Sequence, residues 1–251
     1  MSLTLALIMM TMTVFSCCGC AAASPAPVET PEVQYDKQEV IDKIAYYEQR
    51  MEYATQMRVA AVGLGYTYND DVIQLALTEW NTANSQRAYY QNILNDILAE
   101  EALWETRMKQ YPVATTAWLY LKDLGYNDYV CAGILGNMMT ECGGNTLNLQ
   151  PHVIGNNWFY GICQWSKSYY PQVWGTDLNV QLELLGNTMK EEFNSFGKLY
   201  KRYFNYAKFI ALTNEKEAAL AFAQVYERCG SSTYSVRQYN ATIAYNYYTS
   251  K

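Results

Sequence analysis

Between Cys131 and Trp165 the chain carries a largely apolar segment that ends on a single acid, and this limits what the surrounding chain can build. The segment opens CAGILGNMMTECGG, with Ala132, Ile134, Leu135, Met138 and Met139 recurring at intervals of about three and four, the spacing of a helix. Gly143-Gly144 is a helix-stop signal. Glu141 therefore falls in the last turn of an apolar helix, where the helix dipole and an apolar surround both disfavour a negative charge. A carboxyl that retains a proton is what a general acid requires.

A polar loop without Asp or Glu follows, and then WFYGICQW. Gly161 lets backbone approach closely, and Gln164 offers an amide that both donates and accepts. Trp158, Tyr160 and Trp165 are rings able to stack on sugars. Asn137 lies one turn before Glu141 on the same helix face, where it either positions the carboxylate and substrate or caps a nearby loop. His152 is read as loop structure.

Gly136-Asn137-Met138-Met139-Thr140-Glu141 followed by Gly161-Ile162-Cys163-Gln164-Trp165 resembles the phage tail lysozyme domain, a peptidoglycan-cutting relative of goose-type lysozymes and lytic transglycosylases. Tyr226-Glu227-Arg228 resembles a third motif of the family, although Cys229 stands where proline is usual. The resemblance covers residues 111–250. It implies a lysozyme-like fold, mainly α with a short β-hairpin or loop in 145–163, and Glu141 as the catalytic acid. Substrate contacts are expected from Asn137, Trp158, Tyr160 and Trp165, and from Gln164, which either orients substrate or the glutamate or bonds loop backbone. Glu227 and Arg228 are expected to make internal polar bonds that tie the late helix to the domain. Most glycosidases use two carboxylates, and the 141–164 segment holds only Glu141. Hydrolysis assisted by neutral groups and attack by the sugar's own hydroxyl, the lytic transglycosylase route, both remain open. A wall-binding or assembly protein that keeps the groove without activity is the reading from another class.

Helical spacing also runs through 36–62, with Val40, Ile44, Tyr47, Met51, Ala54 and Ala61, and through 70–109, with Ala76, Trp80, Ala83, Tyr90, Leu94, Ile97 and Trp104. Two amphipathic helices joined by a glycine turn predict an antiparallel hairpin, a spacer or an arm for a protein partner. Residues 1–23 read as a signal peptide or lipoprotein signal: the apolar run 3–16 is too short to span a membrane and precedes a small-residue patch. Cys17 is then a lipidation candidate and the N-terminus a possible membrane anchor, although no Lys or Arg precedes the run. Residues 24–35, proline-rich, read as a linker, 36–110 as the hairpin and 111–251 as the catalytic domain. The expected location is outside the cytoplasm, secreted or lipid-anchored.

In an exported domain, Cys131, Cys142, Cys163 and Cys229 would suggest two disulfides, with Cys142 paired to Cys163 or Cys229. They do not suit zinc, and His152 is the one histidine of the chain. No metal or cofactor is expected. A net charge of −6 argues against nucleic acid and gives no attraction to an anionic cell wall. Peptidoglycan strands, the expected partner, must then be held by the groove.

Overall fold

The computed structural model describes residues 35–200 and 205–250. The apolar run 3–16, Cys17 and nearly all of the linker lie outside them. No helix among the described residues is long and apolar enough to cross a membrane.

Helices α1 (Lys37–Gly63) and α2 (Asp71–Gln110) form the antiparallel hairpin at the expected place. Asp36 starts α1 by accepting from the backbone N–H groups of Gln38 and Glu39. The buried positions are Val40, Ile44, Ala54 and Ala61 on one helix and Ile73, Ala76 and Ala83 on the other. Four of these positions are alanine and three are Val or Ile, and at the edge of the seam Tyr47 stacks on Tyr90 at 5.8 Å. Glu101, a break in the apolar stripe, is paired with Lys37 at 2.6 Å. Asp70 does not cap α2; its carboxylate turns back to Thr67 and braces the connecting turn.

The second part is mainly α, with a small sheet. Helix α3 (Pro112–Asp123) has proline in its first turn, where no intrahelical donor is needed. Helix α4 (Asp128–Cys142), capped by Asn127, runs through the centre with every residue from 130 to 139 buried. Strands β1 (Ile154–Gly155), β2 (Phe159–Tyr160) and β3 (Trp165–Ser166) form an antiparallel sheet in that order. The β1–β2 turn places Asn156 and Asn157 at φ 50° and 61°, the left-handed pair that tight hairpins favour. The third strand lies beyond the segment expected to hold a hairpin. Helices α5 (Leu178–Phe196), α6 (Tyr206–Ile210), α7 (Glu215–Phe222) and α8 (Tyr234–Thr249) complete the domain. Asp177, Asn205 and Asn214 cap α5, α6 and α7 through their side chains.

Helix α4 packs on α7 and α8. At Gly136 the contact is so close that a Cβ would lie 2.5 Å from the backbone nitrogen of Ala241. Helix α7 ends at Phe222 and widens into a π-helical turn, Ala223–Glu227, after which Arg228 adopts φ 53°. One residue inserted in the helical ladder rotates the side chains beyond it, and here it accompanies the inward burial of Glu227.

The hairpin and the second part meet through the end of α2. Arg107 is buried and donates to the carbonyls of Tyr247 and Ser250 at 2.9 and 2.6 Å, closing the C-terminus of α8. Trp104 stacks on Tyr248, which also stacks on Trp118. A boundary at 110/111 therefore cuts through this contact. A truncated protein beginning at Tyr111 is expected to melt below one beginning at Leu103, because α8 loses its charged terminator and Tyr248 one of its two stacked indole neighbours. Thermal scans of the two truncations check this; equal melting temperatures would show that the docked end of α2 contributes nothing to the domain.

Candidate active site

Glu141 stands where the sequence places it, at the end of α4, with its side chain 20% exposed. Its neighbour was not expected. The guanidinium of Arg237, from α8, pairs through Nη2 with Glu141 Oε1 and through Nη1 with Glu227 Oε2. The Arg237 and Glu227 side chains are only 3% and 4% exposed. Nη1 also donates to Asn137 Oδ1 at 2.9 Å, and Nε donates to Thr233 Oγ1 at 3.1 Å. Arg237 is thus held on three sides. Burial pushes the Glu227 carboxyl well above the usual carboxylate range; the Arg237 guanidinium pulls it down, and the adjoining Glu141 carboxyl pushes it up again.

Asn137 is a correction. It is fully buried, its amide nitrogen donates to the carbonyls of Gly133 and Ala219 at 2.8 and 3.0 Å, and its oxygen faces Arg237. It cannot touch a glycan. It ties α4 to α7 and orients the guanidinium.

Glu141 opens into a cleft of about 350 Å³ lined also by Gly155, Asn156, Phe159, Cys163, Gln164, Glu227, Arg228 and Cys229. The GICQW loop forms its far wall. Gly161 takes φ 82° and lies against the Gln181 side chain, with no room for a Cβ. Buried Gln181 accepts from the Ile162 N–H at 2.9 Å and donates to the carbonyls of Pro151 and Thr176 at 2.8 and 3.0 Å. One side chain from α5 thereby fixes the loop that faces Glu141. Gln164 sits at φ 47°, a conformation disfavoured for a residue with a Cβ. Its amide nitrogen is taken by the carbonyls of Val153 and Gly161 at 3.1 and 2.9 Å. Gln164 lines the cleft while its nitrogen serves the loop.

Two of the proposed stacking rings are corrected as well. Trp165 is buried, and its indole N–H donates to Tyr226 at 3.2 Å. Tyr160 is buried, its hydroxyl shared between His152 Nδ1 at 2.8 Å and the Thr176 carbonyl at 2.9 Å. Both rings are core, because β2 and β3 turn these positions inward. Trp158, 60% exposed beside the cleft residues of β1 and β2, is free to stack, and Phe159 is a lining ring that sequence reasoning passed over.

The expected disulfides are not formed: Cys131, Cys142, Cys163 and Cys229 are free thiols. Cys131 lies about 16 Å along α4 from Cys142 at the helical rise, well beyond bridging reach, and its sulfur turns to the Tyr126 carbonyl. Burial pushes Cys142 up to about 12 and Cys163 well above the usual thiol range, which withholds the thiolate that exchange requires. Cys229, partly exposed, turns its sulfur to the Ala223 carbonyl at 3.5 Å.

Glu227 does tie the end of α7 to α8, as expected of it. Arg228 pairs with Glu192 of α5 at 2.5 Å. Arg237 and Gln181 were missed. The signal for Arg237 is its place on the buried stripe of α8, with Ala241, Ala244 and Tyr248. A cation on such a stripe demands a buried anion. For Gln181 the sequence offers no comparable signal.

A family model described as phage tail lysozyme matches residues 112–248. No curated protein and no solved structure gives a match.

Proposed function

Because the chain belongs to the phage tail lysozyme family, whose members are lysozyme-like cell-wall hydrolases, we propose that it is a muramidase cutting the β-1,4 bond between N-acetylmuramic acid and N-acetylglucosamine, with Glu141 as general acid. The observation that carries this reading is the Glu141 carboxyl at the mouth of a cleft, braced from behind by Arg237 and faced by the Gln164 loop. Glu141 delivers its proton to the glycosidic oxygen as the bond from that oxygen to the anomeric carbon breaks. The departing sugar leaves as an alcohol, and positive charge develops on the anomeric carbon. Trp158 and Phe159 offer aromatic faces for the glycan. With a net charge of −6, affinity for an anionic wall rests on these contacts. The expected export, through the apolar run 3–16 with cleavage or with lipidation at Cys17, agrees with a substrate that lies outside the cytoplasm. The hairpin is read as a spacer or as an arm for a protein partner.

One observation favours the lytic transglycosylase route as a second reading. The carboxylates lining the cleft are Glu141 and Glu227, and Glu227, buried against Arg237, is not placed to activate water on the opposite face of the sugar. In that route the muramic acid's own hydroxyl attacks the anomeric carbon and returns its proton to Glu141.

Mass spectrometry of fragments released from purified peptidoglycan tests both. Saccharides with reducing muramic acid ends are expected for hydrolysis; ends lighter by one water mark transglycosylation. Intact glycan strands after exposure to folded protein would leave only the wall-binding reading.

A further inference from the structure

We infer that Glu141 and Glu227 hold one proton between them around Arg237, so that Glu227 is the positioning residue that keeps the acid proton available at Glu141. The inference rests on the proposed muramidase reading and deepens it.

The argument begins with charge in a confined space. Two carboxyl groups touch one guanidinium, and both Glu227 and Arg237 are almost wholly removed from water. Ionising both carboxyls would leave a net negative charge in a desolvated cluster, which water cannot offset. The groups facing Glu227 are Arg237 from α8, Glu141 and the Cys142 thiol from α4, the Cys163 thiol from the β2–β3 loop and the Cys229 thiol just beyond its own turn. All three thiols are pushed up and stay neutral. Arg228, adjacent in sequence, is engaged with Glu192 and the Phe196 ring. Among the described groups facing Glu227, Arg237 is therefore the only cation, and it offsets one carboxylate.

Hydrogen bonding leads to the same place by an independent route. Glu227 Oε1 is buried with no donor within reach, while the neighbouring carboxyl is that of Glu141. Two ionised carboxylates offer each other only acceptors. A single proton turns one of them into a donor and satisfies the contact. Arg237 cannot swing away to change this balance, because Asn137 and Thr233 hold the remaining faces of its guanidinium.

The consequence is chemical. When Glu141 gives its proton to the glycosidic oxygen, the cluster passes from neutral to singly negative. The proton that returns from the attacking hydroxyl, water or sugar, restores neutrality for the next turnover. Glu227 stays buried against Arg237 at the back of the cleft; its charge sets the pH at which the pair surrenders its proton.

The test compares pH–rate profiles of wild-type protein and Glu227→Gln on purified peptidoglycan. In the variant the guanidinium faces a single carboxyl, and the alkaline fall in rate is expected to move to lower pH by about one unit or more, with the acid plateau kept within about tenfold of wild type. A profile parallel to the wild type, whether undiminished or uniformly lowered, overturns the inference and leaves Glu227 a structural residue. A measurement on the wild-type chain guards against failure of the variant to fold. Carboxyl carbon NMR should show one glutamate titrating above the ordinary range, moving to lower pH in Glu141→Gln; its absence from the wild type also overturns the inference. Retained cleavage by Glu141→Gln would instead sink Glu141 as the general acid while leaving the wild-type NMR result intact, and intact glycan strands would sink the muramidase reading itself, so the failures are distinguishable.

Discussion

Glu141→Gln is expected to fold with near-normal stability, to keep its affinity for glycan, and to lose at least ~10²-fold in cleavage rate, the lower end of what general acid catalysis commonly supplies. The amide keeps the size of the carboxyl and can still accept from Arg237, so the ion cluster loses one member without losing its shape. Glu227 remains as the counter-charge of the guanidinium. What disappears is the transferable proton. Release of soluble muropeptides, measured beside a peptidoglycan pull-down, separates the two effects. Binding should persist while release falls. The wild-type rate should also fall as pH rises, because a carboxylate cannot protonate the leaving oxygen. A Glu141→Gln protein that clears peptidoglycan at the wild-type rate would move the chemistry to another residue.

Arg237→Met is expected to have the largest effect on stability. It preserves much of the side-chain volume and removes the guanidinium, leaving Glu227 buried without a cation. Removing one partner of a buried ion pair typically costs about 3–5 kcal/mol. For a protein of this size that is a fall in Tm of roughly 6–20 °C. The lost bonds to Asn137 and Thr233 act in the same direction. The pH dependence of the deficit comes from the same charges. In the variant the Glu227 carboxyl, without its cation, binds its proton more tightly folded than unfolded. Such a group supports folding at pH below its unfolded value and loses that contribution as pH rises through the window up to its folded value. The difference in Tm between variant and wild type should therefore be smaller near pH 4, where the lost bonds to Asn137 and Thr233 remain, and widen towards pH 8. Calorimetric scans across that range check it, and a difference that is constant with pH would mean that packing around the aliphatic stem, rather than charge, is what Arg237 contributes.

What was legible in the sequence is what local physics decides. The spacing of Val40, Ile44 and Ala54, and of Ala76 and Ala83, marks a helical hairpin because only one face of each helix can be buried. Asn127, Asp177 and Asn214 cap their helices through side-chain oxygens that accept from free N–H groups, an arrangement that is local in the chain. Gly143-Gly144 ended α4 where expected and thereby placed Glu141 at a helix end. Ring orientation was not legible. Trp158, Tyr160 and Trp165 look alike in sequence, yet the pleat and the pairing of β2 with β3 send Tyr160 and Trp165 into the core and leave Trp158 outside. The pairing of Cys142 with Cys163 or Cys229 was not legible because cysteine counts carry neither distance nor burial; Cys142 and Cys163 are buried free thiols and Cys229 a free one near the surface. Above all, the cluster at Glu141 joins residues about a hundred positions apart, Asn137 and Glu141 on α4 with Arg237 on α8, and adds Glu227 through a turn of irregular pitch. The sequence by itself determined where the acid stands and which helix carries it. The tertiary structure alone decided which charges surround it, because the place of Arg237 on the buried stripe of α8 calls for an anion without naming one, and the packing of whole helices selects which carboxyls meet it.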